Sequence, residues 1–129
     1  MSEQSEQLKA RTMRFALDAC ALLKQLPQYE PGPTIRRQLA RSSTGTAFNY
    51  RAACRARSHD EFTARIGVVA EEADESQGWL DFIEAGKLIV SKDVGRLVRE
   101  ATELCAIFSA SVGTARAKQK QDGKKIPGG

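Results

Sequence analysis

The sequence predicts an all-α protein, an antiparallel up-down-up-down four-helix bundle, on three observations. Apolar and small residues recur at alternating three- and four-residue intervals through four long segments. Three of the four prolines (Pro27, Pro31 and Pro33) fall in one short stretch, which leaves the rest of the chain free of helix breakers. No segment alternates apolar and polar residues as a half-buried strand would.

In the first segment Leu8, Thr12, Phe15, Ala19, Leu22 and Leu26 are spaced 4-3-4-3-4, predicting a helix over about 8–26 that Pro27 ends. Residues 1–7 are polar and are expected to be a flexible N-terminus. The second helix is predicted over 34–57, with Ile35, Leu39, Ser42, Thr46, Asn49 and Ala53 keeping the same spacing. Ser58 and Glu61 have the spacing of a capping box, in which the Ser58 hydroxyl accepts from Glu61 N–H and Glu61 reaches back to Ser58 N–H. The third helix, 59–87, carries Phe62, Ile66, Val69, Ala73, Ser76, Leu80 and Ile83 in register and is expected to fray near Gly86 to Ile89. Ser91 or Asp93 can cap the fourth, 93–118, whose stripe is Val94, Leu97, Ala101, Leu104, Phe108, Ser111 and Ala115. Residues 119–129 are basic and polar without periodicity, and are expected to form a disordered tail. Short connections make successive helices antiparallel neighbours, and a heptad stripe on each implies a shared core.

A chain of 129 residues forms one domain, and 41% apolar with 28% charged residues is a globular balance. The N-terminus lacks an apolar run and no stretch approaches the roughly 18 apolar residues of a membrane span, so the expected compartment is the cytoplasm. Cys20, Cys54 and Cys105 are odd in number and far apart, which argues against a disulfide framework or a zinc site. Each is expected to be a small buried hydrophobe beside the core stripe.

Charge is segregated by helix. Residues 34–57 hold six arginines and no acid, a net +6, whereas residues 60–87 hold eight acids against Arg65 and Lys87, a net −6. Two readings follow. Arg37, Arg41, Phe48, Arg51 and Arg55 share one ridge facing away from the stripe, at 4-7-3-4 spacing, and basic residues around an aromatic suit a nucleic-acid strand. Alternatively the arginines pair with the acidic third helix or with another subunit, Arg36 and Arg57 flanking the stripe being the better placed for the third helix, and the protein is an oligomeric protein-interaction scaffold with no nucleic-acid role. Val68, Trp79 and Phe82 lie off the core stripe of the third helix, which fits either subunit contact or a wide core face. Ser42, Thr46 and Asn49, beside Gly45, form a polar seam in the second helix, read either as close packing with local hydrogen bonds or as a device fixing register or oligomeric state.

No catalytic set, metal site or cofactor is expected. His59 is the only histidine and falls in the first turn of the third helix, and neither a phosphate-binding glycine loop nor a paired Glu-x-x-His is present. Glu71, Asp74 and Glu75 point outward in the register and are expected to be solvated or arginine-paired.

The string QLARSSTGTAFNYRAACRARSHDEF (Gln38 to Phe62), with EEADESQGWL (Glu71 to Leu80) and EATELCAIFSASV (Glu100 to Val112), resembles the bacterial four-helix-bundle proteins first noted as products of intervening sequences in 23S ribosomal RNA genes. The likeness spans roughly Leu8 to Ala115. It implies a small cytoplasmic bundle that assembles as a ring-shaped homopentamer. One branch of the family is similar to the accessory variability protein of diversity-generating retroelements, which implies RNA or DNA and a reverse transcriptase as partners; most members have no established activity. Ala52 stands where family members often carry an acid, which leaves this second helix more basic. The expectation is a non-enzymatic, homo-oligomeric bundle that binds nucleic acid through its second helix, as an accessory to a nucleic-acid enzyme.

Overall fold

A computed structural model describes residues 2–125, for 124 and 125 the backbone only. Four helices follow in chain order: α1 (Glu3–Leu22), α2 (Gly32–Ala53), α3 (His59–Ala85) and α4 (Lys92–Lys125), with a 3-10 turn, Leu23–Gln25, closing α1. No strand occurs among the described residues. The packed pairs are α1 with α2, α2 with α3, α3 with α4 and, least extensively, α1 with α4, so α1/α3 and α2/α4 are the diagonals. Cross-helix contacts run in opposite chain directions: Ser42 meets Ser76 while Gly45 faces Glu72, and Arg11 meets Glu100 while Asp18 accepts from Arg96. The architecture is the all-α four-helix bundle.

The four stripes form the core. Phe15, Ile35, Leu39, Ile66, Leu80, Ile83, Leu97, Leu104 and Phe108 are its largest fully buried apolar side chains, and the Tyr50 and Phe108 rings meet at 5.3 Å. Burial of each such side chain stabilises by about 1.5–3 kcal/mol. Asn49, expected on the stripe of α2, is only half-buried; its amide instead donates to Gly45 O at 2.8 Å on the α3 side of the helix.

Helix boundaries depart from the expected ones where caps and propensity outweigh apolar period. α1 starts at Glu3, not near residue 8, because Ser2 caps it, accepting from Ser5 N, while Glu3 and Glu6 sit at the positive end of the helix dipole. α2 stops at Ala53, short of 57; Arg55 N and Ala56 N turn back to Ala52 O and Ala53 O. α4 is helical to Lys125, through most of the expected tail; Ala117 to Gln121 are good helix formers and Gly123 alone does not break the run. Residues 126–129 lie outside the described residues.

The caps work with one change of partner. Ser58 accepts from Glu61 N at 3.0 Å, but Glu61 Oε2 accepts from Arg57 N at 3.1 Å, one residue earlier than the expected Ser58 N–H. At the other end of α3, Leu88 N–H donates to Ile83 O, and Lys87 takes the left-handed conformation (φ 51°) that glycine usually supplies. Ser91 caps α4 by accepting from Asp93 N at 3.1 Å.

Candidate nucleic-acid interface

α2 buries Ile35, Leu39, Ser42, Thr46 and Ala53 against the core. At 100° per residue, the opposite pole of the helix is occupied by Arg37 and Phe48, with Arg41 and Arg51 on its two shoulders, and Arg55 follows in the turn just beyond the helix end. All five are exposed, Phe48 by 55%. The helical part of the ridge, from Arg37 to Arg51, runs about 21 Å at 1.5 Å per residue.

The arginines differ in what holds them. Arg41 reaches Glu75 of α3 at 3.5 Å and donates to Gln38 Oε1 at 2.7 Å. Arg37 donates only a long hydrogen bond to Thr34 Oγ1, 3.4 Å. Among the described residues neither Arg37, Arg51 nor Arg55 has a carboxylate within ion-pair distance. Arg57, 92% exposed, lies 3.9 Å from Glu61 at the turn into α3. Arg36 does not pair with α3, as its flanking position suggested. It lies on the α1 side of α2 and donates to the carbonyl oxygens of Leu26 and Pro27 at 3.1 and 3.0 Å, satisfying the C-terminal end of the first helical hairpin arm. The opposed charges of α2 and α3 therefore meet along the body of the two helices in a single ion pair.

The α2–α3 seam lies beside the ridge. Ser42 and Ser76 hydroxyls meet there, Ser76 also donates to Glu72 O at 2.9 Å, and Thr46 donates to Ser42 O at 2.8 Å. The seam residues Ser42 and Thr46 are thus fully buried and satisfied within one chain. Gly45 leaves room for Glu72, whose Oε2 would sit 2.8 Å from a Cβ there. That oxygen is sealed from solvent and has no hydrogen-bond partner. Burial holds the Glu72 carboxyl above the ordinary carboxylate range, helped by Glu75 and Glu71 and opposed by Arg41.

Register along the seam places Phe48 level with Val68 and Gln38 level with Trp79. Val68 (37% exposed) and Phe82 (51% exposed) stand out from α3, while Trp79 is half-buried, packs partly against the core, and meets Phe82 edge-on at 6.0 Å. The candidate arginine ridge and the candidate contact residues Val68, Trp79 and Phe82 therefore share one side of the molecule.

His59, in the first turn of α3, is engaged within the bundle. Its Nε2 lies 2.9 Å from Ala115 O, its ring stacks beside Phe62 at 6.1 Å, and it ties α3 to α4 at the rim of a shallow concavity of about 480 Å³. No three His, Cys, Asp or Glu side chains converge as metal ligands among the described residues. The three cysteines are free and half-buried, and burial pushes the Cys105 thiol up to about 11, so it remains a thiol at neutral pH. No described helix is long and apolar enough to cross a membrane.

Comparison with known proteins finds a solved structure of the same fold. No family model matches the chain, and no curated protein matches it. A crystal structure of a protein of unknown function from the S23 ribosomal protein family of Bacteroides thetaiotaomicron is similar to it, with a TM-score of 0.72 and 23% identity over 81% of this chain and 96% of that one. This chain has the S23 ribosomal protein family fold. It is the family that the Gln38–Phe62 and Glu71–Leu80 strings resemble. Within the S23-family fold two features had no sequence signal. Glu72 reads as one of four acids among residues 71–75, and only the position of Gly45 across the seam makes its carboxyl an orphan. Leu17, 55% exposed on α1, belongs to an outward face that the heptad stripe does not describe.

Proposed function

We propose that this protein is a non-enzymatic, self-assembling bundle that binds a single strand of nucleic acid along the outward ridge of α2. The observation that carries the reading is the set of three exposed arginines, Arg37, Arg51 and Arg55, without acidic partners on either side of an exposed Phe48. Guanidinium groups neutralise phosphates and a solvent-facing ring offers a stacking surface to a base. A single strand fits better than a duplex. The major groove, about 12 Å wide, admits one helix, and α2 is flanked by α1 and α3 over most of its length. The use of His59 as a structural tie supports a role without catalysis. Self-assembly would use the apolar shoulder of α3 formed by Val68, Trp79 and Phe82, and the family resemblance suggests an accessory place beside a nucleic-acid enzyme.

Charge reversal of the unpartnered arginines tests the reading. The variant Arg37→Glu, Arg51→Glu, Arg55→Glu should keep its helical circular dichroism and lose retention of labelled single-stranded RNA or DNA at low salt. Unchanged retention by the folded variant would overturn it.

A further inference from the structure

The far end of α4 outruns the helix it packs on. Ala115 O meets His59 and Gln119 donates to Asp60 Oδ1 at 2.9 Å, so Gln119 is level with the first turn of α3. Beyond it α4 continues to Lys125, about 9 Å further. Residues 116–123 are all exposed and hold no apolar side chain larger than alanine, so no core covers them. They carry Arg116, Lys118 and Lys120 against Asp122, a net +2. None of the three cations has an ion-pair partner among the described residues. The three do not share a face. Lys120 follows Thr102 by five full turns, and Thr102 accepts from Gln77 of α3, so Lys120 lies on the α3 side of α4 with Arg116 one turn before it. Lys118 lies on the other side, beside Gln4 of α1.

The arginine ridge arrives at the same end of the bundle. α2 stops at Ala53, and Arg55 and Arg57 stand exposed in the turn that leads to His59. The acids between this turn and α4 are engaged: Asp60 accepts from Gln119, and Glu61 accepts from Arg57 N. Only the first turn of α3 separates the two basic segments, and packed helices lie about 8–10 Å apart, a gap that a few nucleotides of extended strand cross. We propose that the strand held on α2 continues round the α2–α3 turn, past Arg57, onto the α3 side of the α4 extension, where Arg116 and Lys120 take its phosphates. This rests on the proposed function and lengthens its site. Charge complementarity and continuity with the ridge select the occupant.

Strand length separates the two parts of the track. Labelled uridine and thymidine strands of about 5 nucleotides cover the ridge alone, and strands of about 20 reach α4. Arg57, Arg116 and Lys120 should steepen the slope of log affinity against log salt from about −3 for the short strands to about −5 for the long ones. Arg116→Ala with Lys120→Ala, checked for folding by circular dichroism, should flatten the long-strand slope by about 1.4 and leave short-strand binding unchanged. Lys118→Ala, on the side away from the track, should leave both unchanged. A long-strand slope that survives the double replacement overturns the extension while the ridge stands on its short-strand binding. A flattening by Lys118→Ala equal to that from Lys120→Ala alone overturns the path across α3. Failure of the unmodified chain to bind strands of either length overturns the ridge and its extension together.

Discussion

Phe48 and Glu72 lie one turn apart across the α2–α3 seam and make separable predictions. Phe48 is a large apolar side chain left 55% in water at the centre of the arginine ridge, so its removal has little packing to lose. Stacking on an aromatic is worth about 1–3 kcal/mol per base. Phe48→Ala should therefore weaken single-strand binding by roughly fivefold to a hundredfold in fluorescence anisotropy while leaving the melting temperature unchanged. An unchanged affinity would remove the ring from the site. Glu72 makes a prediction about pH. Its folded carboxyl is held above the ordinary value, mainly by burial, so the folded state binds that proton more tightly than the unfolded chain does. Its contribution is best below the ordinary carboxylate pKa and is lost as pH rises through the raised one. Glu72→Gln should stabilise the bundle against urea at pH 7, and the gain should vanish near pH 4; equal effects at both pH values would contradict the account. Phe48 was legible from spacing alone because exposure follows from the helical period. Glu72 was not, since its state depends on a glycine 27 positions away in the chain.

At the scale of the element, the stripes were readable and the ends less so. Every stripe residue of α4 except Ser111 is buried, as the 3-4-3-4-3-4 spacing requires, because side-chain period follows directly from backbone geometry. Ends depend on single hydrogen bonds: the Ser2 cap starts α1 among residues that carry no apolar signal, and Glu61 chooses Arg57 N over Ser58 N. The connections carry two opposite mutational predictions. A Cβ on Gly32 would run into the Pro27 backbone carbonyl, which cannot swing aside as a side chain can. Gly32→Ala should destabilise by about 1–3 kcal/mol. Lys87 holds a left-handed backbone that L side chains adopt at a penalty of about 1–2 kcal/mol, so Lys87→Gly should stabilise by about 1 kcal/mol. Chemical denaturation of the two variants measures both signs, and a stabilising Gly32→Ala or a destabilising Lys87→Gly would refute this description of the connections.

The whole molecule is organised by where its charge goes unneutralised. The +6 and −6 segments are adjacent helices, yet only Arg41 and Glu75 close an ion pair along their bodies. The sequence could place the arginines on one helix but could not say which were engaged, because engagement depends on side-chain reach across the seam. Arg36, turned to the carbonyls ending the first helix, shows how a flanking position misleads. The remaining ridge is a row of cations beside a ring, and its signature is salt. Binding of a short single strand releases about 0.7 counterions per neutralised phosphate, so four ridge arginines predict a slope of about −3 in a plot of log affinity against log salt. Replacing Arg37, Arg51 and Arg55 by alanine one at a time should flatten that slope by about 0.7 for each residue removed. A slope that stays the same through all three replacements would place the phosphates elsewhere and contradict the assignment of α2 as the binding surface.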